Sequence, residues 1–262
     1  MTDESDFPII IDIIDRHIAV ITLNRPRSRN AIDSRITQLL HGFVRQVDED
    51  PVIRVAVLTS SHETVFCAGA DLREIAAGRA DLLSTAENGF AGFVEADRQK
   101  PWIAAVRGAA LAGGCEIALA CDMIVAADDA SFGLPEVKRG LIAGAGGLYR
   151  LPRALPRNIA LELIATGEPL RATDPRAVGL FNRIVPADEV LPAALALAHQ
   201  IAANAPLSVV EGLRIARQGT AHPIETLRTL TAKAVGRVFA SEDAKEGTRA
   251  FLEKRAPKWQ GR

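Results

Sequence analysis

Residues 52–58, Val52-Ile53-Arg54-Val55-Ala56-Val57-Leu58, form a short run that is apolar at every position but one. A strand with one wet face alternates apolar and polar residues, so a nearly continuous apolar run predicts a strand covered on both faces. The runs Ile103-Ala104-Ala105-Val106 and Met123-Ile124-Val125-Ala126 repeat the pattern, and helical segments lie between them. Buried strands alternating with helices predict an α/β core built on right-handed crossovers rather than a sandwich.

Upstream of these runs, residues 9–14 and 17–23 are β-rich and separated by Asp15-Arg16, which reads as a hairpin closed by Asn24-Arg25-Pro26. After Asp33, a helix-start residue, Ile36, Leu39, Leu40, Phe43 and Val47 recur at helical spacing as far as Pro51. Beyond about Pro186 the strand signals stop. Residues 191–218, 223–239 and 242–254 read as helical, punctuated by proline and glycine. Residues 190–210 carry no charge and are long enough to raise the question of a membrane span, but Pro192, His199, Gln200, Asn204 and Pro206 interrupt them. The run reads as buried helix. The chain thus divides into a core over residues 1–190 and a helical region over residues 191–262.

Composition narrows the function. The chain has 262 residues, 48% hydrophobic and 24% charged, with a formal charge of −1, the profile of a soluble globular protein without an electrostatic footprint for nucleic acid. The opening MTDESDFP lacks the positive flank and apolar stretch of a secretory signal, so a cytoplasmic location is expected. Cys67, Cys115 and Cys121 are an odd count without a CxxC pair, and the five histidines are scattered. No metal site is expected, and catalysis has to come from carboxylates and backbone.

Three glycine-bearing segments each follow an apolar run: Phe66-Cys67-Ala68-Gly69-Ala70-Asp71, residues 108–116, and Phe132-Gly133-Leu134-Pro135-Glu136 followed by Gly144-Ala145-Gly146-Gly147. Ligands of open α/β sheets bind outside the carboxyl ends of strands, where glycine lets bare backbone approach them. Residues 115–120 read as a helix starting at Gly113-Gly114. The free amides and positive dipole end of such a start are suited to an oxygen gaining negative charge, which makes Gly113 a donor candidate. Glu116, three residues on, falls on the same side of the first turn. With Glu136 it forms a candidate acid and base pair, provided their environments separate their pKa values. Gly144-Ala145-Gly146-Gly147 misses GxGxxG because Tyr149 holds the last glycine position, and no GxxxxGK[ST] occurs.

In these three ordered segments the chain resembles the enoyl-CoA hydratase (crotonase) superfamily, from Ile9 to the C-terminus. The resemblance implies an α/β spiral of ββα units with a C-terminal helical trimerisation region, assembled as a trimer or a dimer of trimers. It puts oxyanion-hole amides at Ala68 and Gly113, Glu116 on the attacking water and Glu136 as proton donor to Cα. The substrate implied is an acyl-CoA thioester, so coenzyme A enters as part of the substrate and no resident cofactor is expected. CoA contacts are implied at Ala68, Ala70 and Asp71 and around Arg27, with Phe251 and Lys254 near the adenine and phosphate end. Ala112 stands where the family often has glycine, Arg107 for asparagine, Ala143 for proline, and Leu148-Tyr149 for Thr-Gln. Because both glutamates are present, hydration is expected over isomerisation. A specialised dehydratase, carnitinyl-CoA dehydratase-like or for a steroid side chain, uses the same elements. An RNA-binding module or a non-catalytic scaffold is the reading from other classes, and no nucleic acid or membrane partner is expected.

Overall fold

The computed structural model describes residues 7–262, so the acidic start at residues 1–6 lies outside the described residues. β1 (Ile9–Ile14) and β2 (Ile18–Leu23) pair antiparallel with Ile14 opposite Ile18. Asp15 and Arg16 connect them at φ 47° and 67°, the positive-φ pair that matches the twist of a tight hairpin. α1 (Ser34–Glu49) starts where Asp33 accepts the Ile36 amide at 2.8 Å, and it buries Ile36, Leu40, Val44 and Val47 on one face. β3 (Val55–Ser60) begins three residues into the run that opened the sequence, because Pro51 and Val52 are spent in the turn after α1.

From β3 the chain winds as a spiral. β4 (Val65–Cys67) leaves the sheet of β3, and α2 (Leu72–Ala76) and the small hairpin β5 (Ser84–Thr85) and β6 (Gly89–Phe90) follow. β7 (Trp102–Val106) then returns beside β3, and β8 (Ala109–Leu111) lands beside β4. α3 (Gly113–Ala120), β9 (Met123–Ala127) and β10 (Ser131–Gly133) make the next turn. α4 (Gly147–Ala154), α5 (Arg157–Thr166), β11 (Leu170–Arg171) and β12 (Arg183–Val185) complete it. One sheet has the order β1-β2-β3-β7-β9-β12 and the other β11-β10-β8-β4, each ββα turn adding a strand to both. β7 is buried at all five positions and β9 at four, which is why both read as continuous apolar runs.

The C-terminal region is α6 (Val190–Ala202), α7 (Pro206–Arg217), α8 (Ile224–Ala240) and α9 (Glu242–Leu252). The uncharged run over residues 190–210 is not one buried helix. Pro206 starts a new helix at 108° to its predecessor, and no single helix among the described residues is long and apolar enough to cross a membrane. α6 buries Val190, Ala194, Ala198 and Ala202 against the large sheet, whereas α7 buries nothing and α8 only Ala234.

Candidate active site

The three glycine-bearing segments leave the carboxyl ends of β4, β8 and β10, which are parallel neighbours with Cys67 and Phe132 both paired to Ala110. Strand adjacency therefore sets the loops side by side around a cavity of about 1090 Å³ lined by Ala68, Ala70, Gly113, Glu116 and Glu136. The approach of α3 to β4 needs bare backbone. A Cβ on Gly114 would sit 2.1 Å from the Cys67 carbonyl oxygen.

The amides correct the expectation at one position. Ala68 N–H donates to the Arg29 carbonyl at 3.1 Å, so it is spent inside the fold and does not face a ligand as a free donor. The free amide of that loop is two residues on. Ile32 N–H donates to Gly69 O and Asp71 N–H to Ile32 O, each at 2.8 Å, and this bridge leaves the Ala70 amide without an acceptor among the described residues. Gly113, the first residue of α3, likewise has no acceptor there, while its neighbour Ala112 donates to Gly133 O at 2.9 Å. A Cβ on Gly69, which adopts φ 95°, would lie 2.9 Å from the Gly113 nitrogen. The two loops that carry the free amides are therefore in contact. Ala112 takes φ 50° and ψ −129°, a conformation suited to the glycine it replaces.

Glu116 is 2% exposed, and its Oε1 accepts Ala145 N–H at 2.8 Å and Gly147 N–H at 2.9 Å. Burial pushes its carboxyl above the ordinary value, opposed by those two hydrogen bonds and by the Arg150 guanidinium. Arg150 donates to Ala145 O at 3.0 Å and also to Val94 O, fastening the loop that holds Glu116. Glu136 follows Pro135 in a 3-10 turn, Pro135–Arg139, and its Oε2 is buried with no hydrogen-bond partner. Its carboxyl is likewise raised by burial, opposed by its own amide and raised further by the charge of Glu116, so the two carboxylates sense each other across the cavity. Lys138 does not neutralise Glu136; it pairs with Glu168 at 2.5 Å.

The remaining expected contacts divide. Ala68 and Ala70 line the cavity, but Asp71 does not: its carboxylate is 3.2 Å from Arg25 and accepts Arg73 N–H at 3.0 Å to start α2. Arg27 is exposed and outside the lining, where Arg29 takes the place expected for a basic residue. Phe251, 84% exposed, and Lys254 lie at the end of α9 and are not brought to the cavity within one chain. Phe90, in the segment 74–100 that the resemblance sets beside the acyl chain, lines the cavity, whereas Arg150 and Glu95 were not singled out by the sequence, since nothing local distinguishes them.

Residues 14–262 match the enoyl-CoA hydratase/isomerase family. Carnitinyl-CoA dehydratase of Proteus mirabilis is 42% identical over 247 residues, spanning 92% of this chain and 94% of the relative. The chain belongs to the enoyl-CoA hydratase/isomerase family. Among solved structures, an enoyl-CoA hydratase from Mycobacterium tuberculosis superposes with a TM-score of 0.92 at 44% identity, covering 97% of this chain and 99% of that one. A carnitinyl-CoA hydratase from Mycobacterium avium does so with a TM-score of 0.76 at 43% identity over the same shares. The crotonase spiral implied by the ordered segments is thus the fold of the family, and its members' hydro-lyase chemistry frames the buried Glu116 and the partly buried Glu136.

Proposed function

We propose that this hydratase-family chain adds water across the double bond of a trans-2-enoyl-CoA to give the 3-hydroxyacyl-CoA, and catalyses the reverse dehydration. The observation that carries the reading is the opening of two raised carboxyls and two free amides, Ala70 and Gly113, into one cavity. Glu116, whose charged form is favoured against burial by two amides and the charge of Arg150, takes a proton from water as the oxygen bonds to Cβ. The π electrons move toward the thioester, whose oxygen gains charge at the Ala70 and Gly113 amides, and one such donor is worth about 3 kcal/mol of barrier. Glu136, whose unpartnered Oε2 favours the protonated form, delivers the proton to Cα. A dehydratase acting on a specialised 3-hydroxyacyl-CoA is the same cycle run backward, and the carnitinyl-CoA relatives support that direction as the second reading. Incubation with crotonyl-CoA and longer 2-enoyl thioesters tests the proposal: loss of enoyl absorbance with formation of the 3-hydroxy thioester is expected, and no loss with any of them overturns it.

The apolar side chains left exposed on α8 and α9, Val235, Phe239, Phe251 and Leu252, support a homotrimer or dimer of trimers, in which a neighbour's Phe251 and Lys254 reach the CoA end of the cavity. Sedimentation at micromolar concentration should give the trimer or its double, and Phe251→Asp should dissociate it. Three free, buried thiols support a reducing cytoplasmic compartment.

A further inference from the structure

At the end of α3 opposite the Gly113 amide lies a buried cation, Arg98, which precedes β7 and is 9% exposed. It does not line the cavity, and it makes no ion pair among the described residues. Its Nη1 donates to Phe93 O at 2.5 Å and its Nη2 to Ala120 O, while its Nε is buried without an acceptor. The guanidinium carbon lies 4.1 Å over the centre of the Phe93 ring, which is fully buried and meets Trp102 edge-on. The anions that could answer its charge are occupied or neutral. Asp122 is held in a fork by Arg217 at 2.7 and 2.8 Å and accepts the Trp102 amide at 2.8 Å. Cys121 keeps its proton, because burial pushes the thiol up to about 12. Arg98 is thus a fixed, dehydrated charge with no contact partner of opposite sign. Burying such a charge opposes folding, and an aromatic face offsets only part of that cost.

Ala120 is the last residue of α3 and Gly113 the first. Helix carbonyls point to the C-terminal end and gather partial negative charge there, and the amides of the first turn carry the positive counterpart. A cation against the negative end cancels the partial charge that weakens the potential at the first amide, and adds its own field along the axis. We infer that Arg98 is a positioning residue for the reaction: acting through α3, it raises the positive potential at the Gly113 amide and so favours negative charge on the thioester oxygen. The inference rests on the hydratase reading for the seat of that oxygen. α3 has eight residues, a length of about 12 Å, and seven of them are buried, so water screens the path poorly. A unit charge about 15 Å away at an effective dielectric near 20 shifts an ionisation equilibrium roughly fivefold.

Acetoacetyl-CoA reads that potential directly. Loss of its Cα proton to solvent gives an enolate with charge on the thioester oxygen and a near-ultraviolet band that the keto form lacks. At one fixed, mildly alkaline pH, the ratio of bound enolate to bound keto form should fall roughly fivefold in Arg98→Gln, which keeps a donor for Ala120 O without the charge. Arg98→Lys should bring it back to within about twofold of wild type. An unchanged ratio in Arg98→Gln, or one as low in Arg98→Lys, overturns the inference, and so does a wild-type protein that binds the probe only in its keto form. Should Arg98→Gln fail to fold, Arg217→Gln takes its place: it frees the Asp122 carboxylate at the same end of α3, and the ratio should fall in the same direction, with no fall overturning the inference. Hydration of crotonyl-CoA is a separate readout. Turnover by the wild-type protein with a ratio that ignores the charge at residue 98 sinks the inference and leaves the hydratase reading standing. A ratio that follows the charge, without turnover, does the reverse.

Discussion

On the α3 wall of the cavity, Glu116 is buried with its Oε1 fixed by the Ala145 and Gly147 amides, and Arg150 stands behind that loop. On the wall over residues 135–139, Glu136 is only partly buried, its Oε2 meets no donor, and the loop beyond it leaves Ile142 72% exposed. Both carboxyls are raised by burial; two loop amides and Arg150 favour the charged form of Glu116, whereas at Glu136 its own amide and Arg139 are set against the charge of Glu116. The contrast assigns roles. A base has to be ionised and aimed, and an acid has to keep its proton.

The largest effect that tests the contrast is on turnover. Glu116→Gln preserves an oxygen for both amides and Glu136→Gln preserves the shape, and each should lower kcat for hydration roughly a hundredfold to ten-thousandfold with CoA binding retained. Near wild-type rates in both would mean that neither wall carries the chemistry. Next in size, Gly69→Ala should push a methyl against the Gly113 nitrogen and spread the two amide-bearing loops, lowering kcat about a hundredfold. An unchanged kcat would remove the amide pair from the mechanism.

A smaller effect sharpens the α3 wall. Arg150 is a positioning residue, and Arg150→Met should cost about tenfold in kcat through a loosened Ala145 loop. It should also move the acid limb of the kcat/KM profile to higher pH, because a cation that stabilises ionised Glu116 is gone. Arg150→Lys should restore the limb more than the rate. A limb that stays put would confine Arg150 to folding. The smallest effect is on stability. Carboxyls raised in the folded state contribute stability below their unfolded pKa and lose it as pH rises through the folded value. Glu136→Gln should therefore raise Tm near neutral pH, with the gain vanishing below the ordinary carboxylate range. Glu116→Gln should gain less, since its charge is better solvated by amides. Equal gains in thermal melts across pH would erase the difference between the walls.

Much of this site was legible in the sequence, for identifiable reasons. Strands covered on both faces leave continuous apolar runs, and residues 103–106 and 123–126 became β7 and β9 with one residue added at an end. Glu116 and Gly113 are three residues apart on one helical turn, so their common side follows from helix geometry. The short strands β4, β8 and β10, three residues each, are too brief to show a period. The choice between Ala68 and Ala70 as donor was hidden for a different reason. Both alanines sit in one loop, and only the carbonyl of Arg29, far along the chain, decides which amide is consumed.

The sequence by itself determined the α/β core, the helical C-terminal region and the candidate glutamates with Gly113, because these follow from periodicity, helix starts and residue chemistry within short windows, while the spiral was implied by the family resemblance. Only the tertiary structure decided that α6 is core while α7 is not, that Ala70 replaces Ala68, that Arg150 braces the Ala145 loop and that Glu95 lines the cavity. Burial, hydrogen-bond exchange and electrostatic field depend on neighbours tens of residues away in the chain, and those neighbours meet only when the strands have chosen their order.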